Sequence, residues 1–86
     1  MIFLGDVMRL LVTGGSGLLG FKIIERALAK KWNVVAVYNS YEIPLENERL
    51  RKVKLDISNT LFLEDLILKV RPDVVVHAAA YTDVDG

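Results

Sequence analysis

Leu10-Leu-Val-Thr-Gly-Gly-Ser-Gly-Leu-Leu-Gly20 places four glycines within seven residues, directly behind an apolar run. Glycine loses more backbone freedom on folding than any other residue, so a cluster of this kind needs a structural reason. Two spacings offer one. A P-loop requires glycine, four residues, then Gly-Lys-Ser/Thr. Counted from Gly15, Gly20 is in place, but Phe21 stands where the lysine belongs. The spacing Gly14-x-x-Gly17-x-x-Gly20 is instead a close variant of the dinucleotide fingerprint, which gains meaning when it follows a strand and opens a helix.

The flanks supply that setting. Met8–Thr13 is a short apolar run ended by glycine and reads as a buried strand. From Leu18 the period changes: Leu19, Ile23, Ala27 and Leu28 fall three or four apart, or adjacent, among Lys22, Glu25, Arg26, Lys30 and Lys31. This is an amphipathic helix with its lysines in the last turn, and Asn33 is the expected stop. Val34–Tyr38 is a second strand, residues 39–48 with Pro44 are loop, and Arg51–Leu55 is a third strand. Ser58 or Asn59 is placed to cap a second helix reaching Val70, with Phe62, Leu66, Ile67 and Val70 on its inward face. Arg71-Pro-Asp ends that helix and Val74–Ala78 forms the fourth strand.

Strands alternating with helices imply parallel pairing and right-handed crossovers. The expected fold is an α/β, Rossmann-like parallel sheet of order 3-2-1-4 with one helix on each face. The fourth strand then lies at an edge despite the interior-type sequence Val74-Val75-Val76. Such an edge invites self-association or pairing with a further part of the protein.

Composition narrows the remaining classes. The 86 residues carry eleven basic and eleven acidic side chains, so neither nucleic acid nor a membrane surface is an expected partner. The absence of cysteine removes disulfide and thiolate-metal frameworks and fits a cytoplasmic location. Residues 1–7 lack the basic and apolar regions of a signal peptide and read as an extension before the unit at 8–86.

Each element of the glycine stretch has a physical task in a dinucleotide site. Gly14 makes the tight turn, Gly17 admits the pyrophosphate to the backbone, and Gly20 lets helix and strand approach. The helix-opening N–H groups around Leu18 and Leu19 receive the negative charge, and Ser16 adds a hydroxyl donor. An acidic residue about twenty positions on would bind the adenosine ribose. The second strand instead ends Tyr38-Asn39-Ser40, with no carboxylate before Glu42. Asn39 and Ser40 can hydrogen-bond either cofactor, and the missing charge favours NADP(H) over NAD(H).

With Thr13-Gly-Gly-Ser-Gly-Leu-Leu-Gly20, Leu55-Asp-Ile57 and Arg71-Pro-Asp-Val-Val-Val-His-Ala-Ala-Ala80 together, the chain resembles the extended short-chain dehydrogenase/reductase superfamily. Its tail, Ala78-Ala-Ala-Tyr-Thr-Asp-Val-Asp-Gly86, is similar to the dTDP-4-dehydrorhamnose reductase family. The resemblance covers residues 8–86 and corresponds to the first third of such an enzyme. It implies that Asp56 and Ile57 hold the adenine amino edge and that Ala78, Ala79 and Ala80 pass beside the cofactor ribose. It also implies that Thr82 and Val84 border the nicotinamide and a nucleotide-sugar substrate. Asp56 has an alternative reading as a turn residue, and Ala78–Ala80 as core. His77, the single histidine, ends an apolar strand and reads as a core residue.

The superfamily's catalytic tyrosine is followed four residues later by lysine. Four residues beyond Tyr38, Tyr41 and Tyr81 stand Glu42, Leu45 and Asp85. No catalytic or metal-binding residue is therefore assigned within the chain. The resemblance implies NAD(P)H-dependent reduction of a 4-keto nucleotide sugar, this segment supplying the cofactor-binding part. Two alternatives stay open: an epimerase or dehydratase of the same superfamily, and a non-catalytic subunit like the regulatory subunit of methionine adenosyltransferase.

Overall fold

Three apolar stretches pair side by side because each is apolar on both faces, which a covered parallel sheet satisfies, and a fourth, Leu50-Arg-Lys-Val-Lys54, joins at one edge with basic residues among its apolar ones. The computed structural model describes residues 8–15, 17–56 and 58–78. Its elements are β1 (Arg9–Thr13), α1 (Leu18–Ala29), β2 (Asn33–Tyr38), β3 (Leu50–Lys54), α2 (Thr60–Val70) and β4 (Val74–His77). The sheet has the order β3-β2-β1-β4 and every pairing is parallel. Among the described residues no helix is long and apolar enough to cross a membrane.

Register sorts the side chains onto two faces. Leu10 lies opposite Val34 and Val74, and Val12 opposite Ala36 and Val76. Leu10, Val12, Val34 and Ala36 share one face with Ile24 and Ala27 of α1 and with Ile43 from the loop after β2, forming the main core, against which Val76 is partly buried. Leu11, Thr13 and Val37 occupy the other face and are also fully buried. There the end of α2 borders a cavity that Lys69 and Val70 line together with Arg9, Val35 and Arg51.

Both helices are rotated from their expected phase. In α1 the buried residues are Gly20, Ile24 and Ala27, and Leu19 is 42% exposed. Gly20 must face the sheet, which turns Leu19 out by roughly 100°. In α2 the half-buried stripe is Leu63, Leu66, Ile67 and Val70, and Phe62 is 59% exposed. Asn59 sets this helix's start, its side-chain oxygen accepting from the Phe62 N–H at 3.4 Å. The stripe's centre then lies about 90° from Phe62.

The α1 stop also differs from expectation. Asn33 is the first residue of β2, and the helix ends instead at Ala29, with Lys30 as its C-cap and Lys31 turning the chain away at φ 65°. The Lys31 N–H donates to Leu28 O at 2.9 Å and the Trp32 N–H to Ala27 O at 3.0 Å. This is the Schellman pattern, with Trp32 packed back against the core. A left-handed conformation costs a non-glycine residue roughly 1–2 kcal/mol. Lys31→Gly is therefore expected to stabilise the chain by about 0.5–1 kcal/mol in urea denaturation, the strain relief being partly offset by glycine's greater unfolded-state freedom.

Candidate functional site

At the carboxyl end of β1 the chain must reverse within a few residues to start α1. Gly14 does this with φ 75°, a conformation that L side chains rarely adopt. The Gly14 and Gly15 N–H groups both donate to Val37 O, at 3.0 and 3.1 Å, pinning the turn to the end of β2. The Gly17 N–H then donates to Gly14 O at 3.1 Å and closes the turn.

Gly20 fits beneath it only because it lacks a side chain. A Cβ there would run into the Gly14 carbonyl oxygen and sit 3.0 Å from Gly15 Cα. Those obstacles are backbone, so nothing flexible can yield. Gly20→Ala is expected to destabilise by about 3 kcal/mol or more, at the upper end of overpacking costs, despite alanine's better helix propensity. A denaturation midpoint within error of the parent would refute this account of the turn.

Among the described residues the first N–H groups of α1 have no acceptor. Its N-cap, Gly17, makes no side-chain hydrogen bond, and no acidic residue stands in the first turn. The Leu18 side chain there is 74% exposed. A helix terminus of this kind attracts an anion through both its free donors and its dipole.

Other sequence-predicted positions gather at the same end of the sheet, because parallel strands all finish there. Asn39 and Ser40 follow β2 and are exposed. Asp56 follows β3, which is held to the end of β2 by the Leu55 N–H donating to Tyr38 O at 2.8 Å. One Asp56 oxygen accepts from the Ser58 N–H at 3.0 Å and from the Ser58 hydroxyl at 2.8 Å. These donors, the backbone N–H first, hold the carboxyl below its ordinary pKa. The resulting turn leads into α2, while the Asp56 side chain stays exposed. Ala78 is 1% exposed and belongs to the core on the α1 side. Ser16, Ile57, Ala79, Ala80, Thr82 and Val84 lie outside the described residues.

His77 departs from the core reading. It is exposed at the end of β4, and its Nδ1 lies 3.2 Å from the hydroxyl of buried Thr13. At an edge strand an apolar sequence does not guarantee cover, and His77 takes its polar partner from β1 instead.

Three residues that shape the site give no local sequence signal. Gly15 is buried, and a Cβ on it would sit 2.7 Å from Ile43 Cδ1. Ile43 is itself fully buried, so the loop after β2 plugs the back of the glycine turn. Lys52 on β3 holds that loop. Its Nζ donates to Ile43 O at 3.1 Å and to Glu46 Oε2 at 2.8 Å, and pairs with Glu42 Oε2 at 3.1 Å. Hydrogen bonds donated to Glu46, then to Glu42, raise the Lys52 pKa above the ordinary lysine value. A raised cationic pKa stabilises the fold below the unfolded value of about 10.4, and the contribution is lost as pH rises through the folded value.

Comparison with known proteins matches residues 8–86 to the family model described as RmlD substrate binding domain. A relative named as a probable low-salt glycan biosynthesis reductase, Agl14 of Haloferax volcanii, is 39% identical over 87% of this chain and 24% of its own length. The dTDP-4-dehydrorhamnose reductase of Escherichia coli is 35% identical over 91% of this chain and 23% of its own. Further relatives are named dTDP-glucose 4,6-dehydratase. Among solved structures, the Bordetella bronchiseptica enzyme WbmH in complex with NAD+ superposes with a TM-score of 0.78 at 26% identity, covering 85% of this chain and 26% of that one. The chain thus spans about a quarter of the length of the relatives it matches. Its strand-turn-helix start, its sheet order and its sequence agree, and the chain belongs to the RmlD substrate binding domain family.

Proposed function

We propose that this chain binds a nicotinamide dinucleotide across its glycine turn, taking NADP(H) in preference to NAD(H). The observation that carries this reading is the uncapped start of α1, set behind a turn that two hydrogen bonds fix to the end of β2. The pyrophosphate lies against the N–H groups of Leu18 and Leu19, and Asn39 and Ser40 meet the adenosine ribose. Asp56, with one oxygen committed to Ser58, has the other for the adenine amino edge. Support also comes from WbmH, whose NAD+ complex has the same fold. The NADP(H) preference rests on the neutral pair Asn39-Ser40 at the position where an acid would repel a 2′-phosphate.

The reaction proposed for the protein is reduction of a 4-keto nucleotide sugar, as the name of the Escherichia coli relative indicates. When bound, the reduced nicotinamide supplies hydride to the ketone carbon. These residues bind and orient it. The proton for the ketone oxygen comes from outside them, since no tyrosine here is followed four residues on by lysine. The dehydratase relatives support a second reading, in which the same cofactor segment serves sugar dehydration.

The test is fluorescence titration of the chain with NADPH and NADH, beside Leu18→Asp. A carboxylate in the first turn satisfies the helix dipole and should raise stability by about 0.3–1 kcal/mol. It should also weaken NADPH binding at least tenfold, because it occupies the place of the pyrophosphate charge. Opposite signs in the two readouts separate charge from misfolding. Unchanged affinity in the variant, or no binding by the parent at millimolar cofactor, overturns the reading.

The proposal extends to the β4 edge. Val74 and Val75 are 36% and 38% exposed, and among the described residues β4 pairs only with β1. In solution this edge recruits further sheet, and for the 86-residue chain alone the available partner is a second copy. Light scattering should show a concentration-dependent dimer that Val75→Lys disperses; a monomer at all concentrations refutes it.

A further inference from the structure

The loop after β2 carries the first carboxylate beyond the ribose-binding pair, and that carboxylate is tied down. Glu42 stands two residues past Ser40, a span of at most about 7 Å. It is therefore close enough to place negative charge beside a ribose held at Asn39 and Ser40. Its oxygen is instead drawn to Lys52 Nζ at 3.1 Å, on the α1 side of the sheet. The same ammonium takes Glu46 at 2.8 Å and the Ile43 carbonyl at 3.1 Å. The Lys52 side chain is only 14% exposed while Glu42 and Glu46 are 65% and 87% exposed, so the cation is tucked beneath carboxylates that face water. Ile43, between the two glutamates, is locked into the core and prevents the loop from sliding.

We propose that Lys52 is a specificity-determining residue: by holding Glu42 against the sheet, it keeps the ribose end of the dinucleotide site free of unpaired negative charge and so admits a 2′-phosphate. Lys52 acts through the loop and touches no cofactor atom, which makes it a positioning residue. The inference rests on the dinucleotide reading above. Without Lys52 the Glu42 carboxylate is released and repels the 2′-phosphate while remaining able to accept a hydrogen bond from a 2′-hydroxyl. Cofactor choice then moves from NADPH toward NADH.

The experiment is a set of titrations with NADPH and with NADH on the parent chain, Lys52→Met, Lys52→Arg, Glu42→Gln and the Lys52→Met/Glu42→Gln double variant. Far-ultraviolet circular dichroism confirms folding in each. The readout is the ratio of the two dissociation constants, which mere loosening of the loop would leave unchanged. Lys52→Met should shift the ratio about tenfold against NADPH, equivalent to about 1.4 kcal/mol. Lys52→Arg should hold it within twofold of the parent, and the double variant should restore it even if both affinities stay weaker. Glu42→Gln alone should also leave the ratio within twofold, because its carboxylate is already turned onto Lys52. That variant keeps the question open to refutation should Lys52→Met fail to fold, since a several-fold gain for NADPH would mean Glu42 already faces the ribose. A constant ratio in Lys52→Met, or no restoration in the double variant, overturns the role of Lys52 and leaves the dinucleotide reading standing. Failure of the parent to bind either cofactor overturns both.

Discussion

The contact between Gly20 and the Gly14 carbonyl governs the geometry of the whole carboxyl end of the sheet. A helix packed on a sheet by ordinary side chains sits about 10 Å above it. Here the helix start comes down onto the backbone of the preceding turn, so α1 is anchored at its first residues. Ile24 and Ala27, one and two turns further on, are then delivered onto Leu10, Val12, Val34 and Ala36. Glycine inside a helix costs about 1 kcal/mol relative to alanine. The packing it permits outweighs that cost, since one fully buried aliphatic side chain contributes about 1.5–3 kcal/mol.

The two faces of the sheet are stabilised unequally. On the α1 side, a closed cluster includes two helix residues, four strand residues and the loop residue Ile43. On the other side no residue of α2 is fully buried, and Leu61 and Leu68 are each 73% exposed. Burial scales with the apolar area removed from water, so α2 contributes much less per residue than α1. It is nevertheless well terminated: Asn59 caps its start, and Arg71 at φ 54° closes its end ahead of Pro72. Local signals define α2 where tertiary packing is thin, and tertiary contact defines α1 where its cap is missing.

This division explains how far the sequence could be read. Strand order, parallel pairing and the tasks of Gly14 and Gly20 followed from patterns within a dozen residues, and the structure has them. Helix phase did not follow, because periodicity leaves neighbouring stripes nearly equivalent and the choice falls to one contact. Gly20 decides it for α1 and the Asn59 cap for α2. The turn at Lys31 was hidden because a lysine in the left-handed region has no compositional signature. His77 was misplaced because an edge strand and an interior strand can share one sequence. Lys52 was invisible for a different reason. Its partners lie six to ten residues away across a loop without regular structure, and only the fold brings Ile43, Glu42 and Glu46 to one ammonium.

The two helix starts differ in their caps. At α2 a side chain satisfies one first-turn donor, the Phe62 N–H. At α1, Gly17 offers none, and a serine, asparagine or aspartate in its place would be worth a few tenths of a kcal/mol to the helix. The first turn also lacks the acidic residue that the dipole favours, a further 0.3–1 kcal/mol or so forgone. Both omissions fall on the helix that is best buried and so least in need of local help. Among the described residues this terminus finds no side-chain acceptor, yet Gly20, Val37 and Ile43 hold the turn before it in place. Local stability forgone beside tightened surroundings is the pattern on which the proposed binding of a dinucleotide rests.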